Sequence, residues 1–305
     1  MSLFLLRRGL AALLLVFAVT SGALLLAQLA PGDYASQPGR SPEQMAADRH
    51  RLGLDRPIAE QYAGWLKRSL TLDLGESFQY QRPVLTLVRE KAANTVLLAV
   101  AALIVGTLLG VPCGVFTGSR RGGIAARLIR LGSIVLRSVP PLISSLILLT
   151  IAARTGWLPV SGMGGPGHFV VPTLALALPL AAMLERLQAQ SIGDALDRPA
   201  AAAARARGVP AARIVWRHAW RQSLAPILAI YGVVIGSLFS GSFAVEQVTS
   251  WPGLGRLMLD ALNARDTYLV AGCAAAGAAF LAAGILVADL AHAFLDPRIE
   301  GRRDA

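Results

Sequence analysis

Six long apolar runs alternate with polar connections along the chain, at about residues 9–31, 93–118, 128–153, 169–188, 222–246 and 268–294. Each is close to the roughly 20 residues that a helix needs to cross a bilayer core. The pattern predicts an all-α polytopic membrane protein with six spans in a single transmembrane domain covering 1–305. The first run is longer than the core of a secretory signal, and Pro31 follows its only small-residue site. It therefore reads as an uncleaved span.

Two connections carry order of their own. In the external segment 32–92, Leu54, Ile58, Tyr62, Trp65 and Leu66 recur at helical spacing. Asp55 is the expected N-cap, with Pro57 early in the helix. Such a helix either packs on the bundle or offers a docking surface. The other is the loop 193–221, which contains RARGVPAARIVWRHAWR. Five arginines, Arg205, Arg207, Arg213, Arg217 and Arg221, fall within seventeen residues there. Its alanines favour a helix, Gly208 is placed to end it, and Pro210 suits the start of a second. In that second helix Trp216, Ala219 and Trp220 form one stripe beside the arginines. Three readings follow from the charge: a loop that fixes topology, an interfacial helix on anionic membrane lipid, or a helix seated in a groove of a cytoplasmic protein.

Charge fixes the orientation. Of 305 residues 54% are hydrophobic and 15% charged, with a net charge of +11, and the mean hydropathy is +0.55. The cations sit at the ends of apolar runs rather than in a surface stripe with groove-reading elements, so no nucleic acid is expected as partner. Arg7 and Arg8, the connection with Arg120, Arg121, Arg127 and Arg130, the loop 193–221, and the tail with Arg298, Arg302 and Arg303 are the cationic segments. By the positive-inside rule all four lie in the cytoplasm, with both termini.

Chemistry-bearing residues are sparse. Cys113 and Cys273 lie inside apolar runs, and the four histidines have no ligand spacing, so no metal is expected. The chain lacks the phosphate-binding loop G-x-x-x-x-G-K-[ST] and any hydrolase motif. It is therefore not expected to bind ATP itself or to be an enzyme, no cofactor is expected in the chain, and energy for any work it does must come from elsewhere, such as an ion gradient. Arg137, Glu185 and Arg186 are expected to snorkel from span ends. For these three, and for Glu246 and Asp289, a structural ion pair is the expectation and substrate contact the alternative. Ser237, Ser240 and Ser242 polarise the fifth span, as a packing surface or as a wet pathway lining. Pro140 and Pro141 should bend the third span, as a gate or only a kink.

ARARGVPAARIVWRHAWRQSLAPIL resembles the cytoplasmic loop of ABC-importer permeases of the dipeptide/oligopeptide/nickel branch. LAPGD (29–33), LGLDRPIAEQY, DLGESF (73–78), NTVLLAVAALIVGTLLGVPCGV (94–115), WLPVSG (157–162), VEQVTSWPGLGRLMLDAL (245–262) with Asp266, and DPRIEG (296–301) resemble further family pieces in the family order. The resemblance implies a type I ABC-importer-like fold in the bacterial cytoplasmic (inner) membrane. It implies that the chain forms half of a pathway for short peptides, beside a second homologous permease subunit. Two cytoplasmic ATPase subunits carrying ATP and Mg, and an extracytoplasmic solute-binding protein, complete the implied assembly. The loop at 197–213 corresponds to the family's ATPase-coupling element. Ala204, Arg205, Ala206, Arg207 and Gly208 match its small–basic–glycine core, Arg213 belongs to the same element, and His218, Ala219, Arg221 and Pro226 match its downstream part. Pro199 and Ala200 stand where the family has an acid and a tyrosine; Asp197 is the nearest acid. A nickel-chelate or glutathione permease of the same branch, a self-contained secondary transporter or channel, and a membrane scaffold are the alternative readings.

Overall fold

The computed structural model describes residues 2–36, 41–120, 122–160 and 162–295. The DPRIEG tail with its arginines, Arg121, and Ser161 of WLPVSG lie outside them. The regular elements are helices, apart from one isolated bridge between Glu76 and Pro83. Among the described residues five apolar helical runs are long enough to cross a membrane: Leu6–Leu29, Val84–Ser119, Pro166–Asp197, Ala211–Thr249 and Thr267–Val287. The third apolar run of the sequence is instead a pair, Ile124–Ser138 and Pro141–Thr155, bent by 106°. The chain divides into two compact units, one of residues 1–96 with 252–283, the other of 97–251 with 284–305.

The first unit holds α1 (Ser2–Leu29), α2 (Pro42–Leu52), α3 (Ile58–Ser69) and the start of α4 (Val84–Ser119). It also holds α11 (Leu254–Ala264) and most of α12 (Thr267–Leu295). The end of LAPGD is a clamp. The Asp33 carboxylate accepts from the Ser36 backbone N–H at 2.9 Å and from Arg49 Nε at 2.6 Å. Partial burial alone would raise this acid; the hydrogen bonds from Arg49 and Ser36 and the Arg49 charge bring it below its ordinary value. Helix α2, unforeseen in the sequence reading, starts with a reciprocal capping box between Ser41 and Gln44, with Pro42 in its first turn.

Asp55 does not cap α3. Pro57 takes the cap position with extended backbone (φ −55°, ψ 142°), and its carbonyl accepts from Glu60 and Gln61. The ring pre-sets the entry to the helix, so no side-chain cap is used. The α3 stripe buries Trp65 against Leu24 and Ala271, with Tyr62, Leu66 and Tyr268 alongside, and the Tyr62 hydroxyl donates or accepts at 3.1 Å from Ser21 Oγ.

Asp266 ties DLGESF to the last helix. Fully buried, it accepts from Ser77 Oγ at 2.6 Å, from Gln79 N–H at 3.1 Å and, as N-cap of α12, from Leu269 N–H at 3.2 Å. Burial pushes the carboxyl above its ordinary value, against the pull of those donors. Asp266→Ala leaves buried donors without an acceptor and should cost about 3 kcal/mol. Asp266→Asn, which keeps one oxygen, should cost less. Thermal unfolding of both variants in detergent checks this; equal midpoints for alanine and wild type would remove the tie.

The second unit is built on α4, α5 (Ile124–Ser138), α6 (Pro141–Thr155), α7 (Val170–Asp197) and α10 (Trp220–Thr249). Gly106, Gly110, Gly114 and Gly118 present one edge of α4 every fourth residue. A Cβ on Gly110 would lie 2.4 Å from the Ala181 carbonyl oxygen, on Gly114 2.5 Å from that of Glu185, and on Gly118 2.5 Å from that of Ala189. The backbones therefore touch, as small residues at four-residue spacing allow in membrane helices. Contacts advance in the same direction on both helices, from Gly106 with Leu180 to Gly118 with Ala189, so α4 and α7 run parallel. Helix α10 runs antiparallel to α7: a Cβ on Gly241 would meet Leu176, whereas Ser223 accepts from Gln188 Nε2 at 2.8 Å.

Glu185 does not snorkel. It is buried (3% exposed) and accepts a short hydrogen bond from the Thr117 hydroxyl of α4. The glycine contact brings α4 so close to the Glu185 backbone that the side chain is held between helices.

Candidate functional site

The arginine-rich segment forms a folded elbow. Helix α7 ends at Asp197, Arg198 is extended (φ −67°, ψ 151°), and Pro199 opens α8 (Pro199–Ala206) at the position where a missing N–H costs nothing. Pro199, which departs from the family pattern, thus serves as a helix start. The end of α8 is a double hydrogen-bonded cap: Gly208 N–H donates to the Arg205 carbonyl at 2.9 Å and Val209 N–H to that of Ala204 at 3.1 Å. Gly208 has φ +74°, and a Cβ there would meet nothing within 4 Å. Backbone conformation, not space, requires glycine at this point.

Pro210 caps α9 (Ala211–Ile214), which passes through a π turn at Val215–Ala219 straight into α10. The expected second short helix is therefore the base of the fifth apolar helix. The π turn inserts a residue and resets the faces, so the tryptophan stripe divides. Ala219 is buried beside Val115, Ile192 and Ala195 with Trp220 against them, while Trp216 is 59% exposed. The two indoles still touch, with centroids 5.8 Å apart.

The elbow has an inner and an outer face. Ala201, Ala204 and Ile214 are buried together with Leu196 and Val209 around them. Ala204 thus points inward, unlike the rest of its motif. Arg205, Ala206, Arg207, Gly208, Arg213 and His218 are exposed, as are Arg217 and Arg221. Arg205 Nη2 donates to the Leu196 carbonyl at 2.8 Å and closes the end of α7. Arg198 Nη1 donates to Gln222 Oε1 at 3.1 Å and joins the elbow to α10. The outer face is a cationic knob on a small hydrophobic base, braced to two long helices. Its chemistry suits a groove lined with carboxylates.

The remaining residues singled out in the sequence lie elsewhere. Pro140 and Pro141 occupy the break between α5 and α6: Pro140 caps α6 and Pro141 is its first residue. The Pro141 ring lies beside Gly241 of α10. The serines around that glycine do not converge. Ser242 is buried and donates to the Phe239 carbonyl at 2.8 Å. Ser237 and Ser240 are exposed, with Ser237 donating to the Val234 carbonyl at 2.9 Å. Among the described residues no three His, Cys, Asp or Glu side chains converge as metal ligands.

The family described as "Binding-protein-dependent transport system inner membrane component" matches residues 110–301, and its N-terminal companion, "Binding-prot-dependent transport system membrane comp, N-term", matches 1–99. A dipeptide transport system permease protein of Lactococcus lactis is 31% identical over 289 residues, 94% of this chain and 95% of the relative. An oligopeptide transport system permease protein of Bacillus subtilis is 29% identical over 98% of this chain and its own full length. A glutathione transport system permease protein of Salmonella typhimurium is 31% identical over 85% of each chain. The chain belongs to the inner membrane components of binding-protein-dependent transport systems, a family of multi-pass permease subunits rather than enzymes.

Proposed function

We propose that this chain is one half of the translocation pathway of an ATP-driven importer of short peptides, worked through the elbow at 197–213 by separate ATPase subunits. The observation that carries the reading is the outer face of the elbow. Exposed Arg205, Arg207 and Arg213 stand on a folded base that is hydrogen-bonded to the last turn of α7 and to α10. A loop that only set topology would need no such bracing. A second homologous permease would supply the other half of the pathway, two ATPases would carry ATP and Mg, and an extracytoplasmic binding protein would deliver substrate. The names of the peptide and glutathione relatives support short peptides as the substrate class.

Six spans and cytoplasmic termini are part of the same reading. Parallel α4 and α7 put the end of one and the start of the other at opposite ends, which supports the reading that the bent pair α5–α6 returns the chain across the bilayer. The positive-inside rule then places the elbow in the cytoplasm, with 32–92 as the external segment.

Reconstitution tests the proposal. The full chain alone in liposomes should move no peptide with ATP; addition of the partner permease, ATPases and peptide-loaded binding protein should start uptake. Reversing charge at Arg205 and Arg207 to glutamate should cut ATPase co-purification about tenfold, as loss of roughly 1.4 kcal/mol of contact energy would. Peptide movement by the chain alone, or unchanged ATPase capture by the reversed variant, would refute it.

A further inference from the structure

The arginines at the foot of α10 stand apart from those at the tip of the elbow. Ile214 and Ala219 are buried and mark the inner side of the foot. Trp216, Arg217 and Arg221 are exposed. The Trp216 indole is held in place. It rests on Trp220, which packs in turn against Val115, Ile192 and Ala195. An indole so braced, with more than half of its surface uncovered, is presented to something outside the chain. Arg217 and Arg221 lie one helical turn apart. Among the described residues neither forms an ion pair.

The apolar stretch that follows sets the depth of this patch. From Gln222 to Val245 the helix carries no charged residue. That stretch is enough for the roughly 20 residues that fill a bilayer core, so Arg221 stands at the edge of the hydrocarbon. The headgroup layer beyond that edge is about 5–7 Å deep. One helical turn rises about 5.4 Å, which puts Arg217 and Trp216 inside the layer. Arg205 and Arg207 come before the bend at Gly208 and belong to the tip.

We propose that Trp216, Arg217 and Arg221 form a lipid-binding foot whose partner is the anionic phospholipid of the adjoining leaflet. The two guanidinium groups pair with lipid phosphates. The indole lies among the headgroups, where its apolar ring and its N–H are both accommodated. A groove on a soluble protein is kept from Arg221 by the headgroups themselves. The foot thus holds the start of α10 at a set depth and leaves the elbow tip to its own partner. The assignment rests on α10 as a membrane span and not on the ATPase reading, so either can fail alone.

The test uses the full chain reconstituted in mixtures of phosphatidylcholine and phosphatidylglycerol, with each lipid in turn brominated on its acyl chains. The fluorescence lost in W216F isolates this indole from the other tryptophans, and its quenching gives the relative affinity of the two lipids at the foot. Wild type should favour phosphatidylglycerol. The R217Q/R221Q variant, measured against its own W216F counterpart, should lose about thirtyfold in that preference, from two cations at roughly 1 kcal/mol each. R51Q removes an exposed arginine of α2 and should change nothing. Circular dichroism and the unfolding midpoint show whether the double variant is folded; should it unfold, R217Q alone is read, with about a fivefold loss expected from one cation. Equal affinity for the two lipids in wild type, or a Trp216 signal that neither brominated lipid quenches, overturns the proposal. Loss of ATPase co-purification by the folded variant with its lipid preference intact would make the foot a protein contact and overturn the lipid assignment.

Discussion

Gly110→Leu is expected to prevent the second unit from folding, giving an aggregated or degraded protein where wild type elutes as one species from detergent. The first added carbon would sit 2.4 Å from the Ala181 carbonyl oxygen and 2.9 Å from Ala181 Cα and Leu184 Cβ. All three obstacles belong to a helix held in turn by α10, so the clash cannot be relieved by turning a flexible side chain. Overpacking of well-filled cores costs typically about 1–3 kcal/mol; backbone against backbone places this case at or beyond the upper end. Separating α4 from α7 also strands Glu185, whose hydroxyl donor lies on α4. Gly9→Leu is the control, because a Cβ there meets nothing within 4 Å. Fluorescence-detected size exclusion with a thermal ramp measures both. A G110L protein that elutes normally and melts within a few degrees of wild type would refute the close-contact account.

The second large effect is functional. Gly208→Val should leave the long helices folded and lower ATP-driven peptide uptake about tenfold or more. Left-handed backbone costs an ordinary L-residue roughly 1–2 kcal/mol, and a β-branched side chain is among the least tolerant. The cap that ends α8 would open, and Arg205 and Arg207 would leave their places on the outer face. Gly208→Asn is the discriminating partner, since asparagine enters the left-handed region readily; it should restore most of the uptake. Uptake and peptide-stimulated ATP hydrolysis are measured together in proteoliposomes. Equal transport by the valine and asparagine variants would mean that the bend carries no motion.

Much of the elbow was legible in the sequence because its signals are local. Gly208, Pro210 and the alanine run each dictate backbone within a few residues, and the structure has a helix end, a cap and a helix at those places. The inward turn of Ala204 was not legible. Ala201 and Ala204 are one turn apart in a run of alanines, so no hydrophobic contrast marks which side is covered; the cover, Ile214, comes from beyond the bend. The membrane spans announced themselves by length and hydropathy, yet the break at Pro140 and Pro141 turned out to be a separation into two helices rather than a bend in one. Contacts between distant segments were the least visible. Nothing near Asp266 points to Ser77, 189 positions away, and the glycines of α4 announce close approach without naming α7. The pattern of small residues states that a neighbour must come near; only the fold states which.

The π turn at Val215–Ala219 makes one continuous helical run of Ala211–Thr249, 39 residues from the elbow to the far end of the fifth apolar helix. Its contour is about 59 Å at 1.5 Å per residue. Moving as one piece through Pro226, such a run would act as a lever. A tilt of about 5° imposed at Arg213 would swing the opposite tip by roughly 5 Å, close to one helical turn. In the coupling we propose, small rocking at the base would be magnified in this way into a stroke at the far end of the helix.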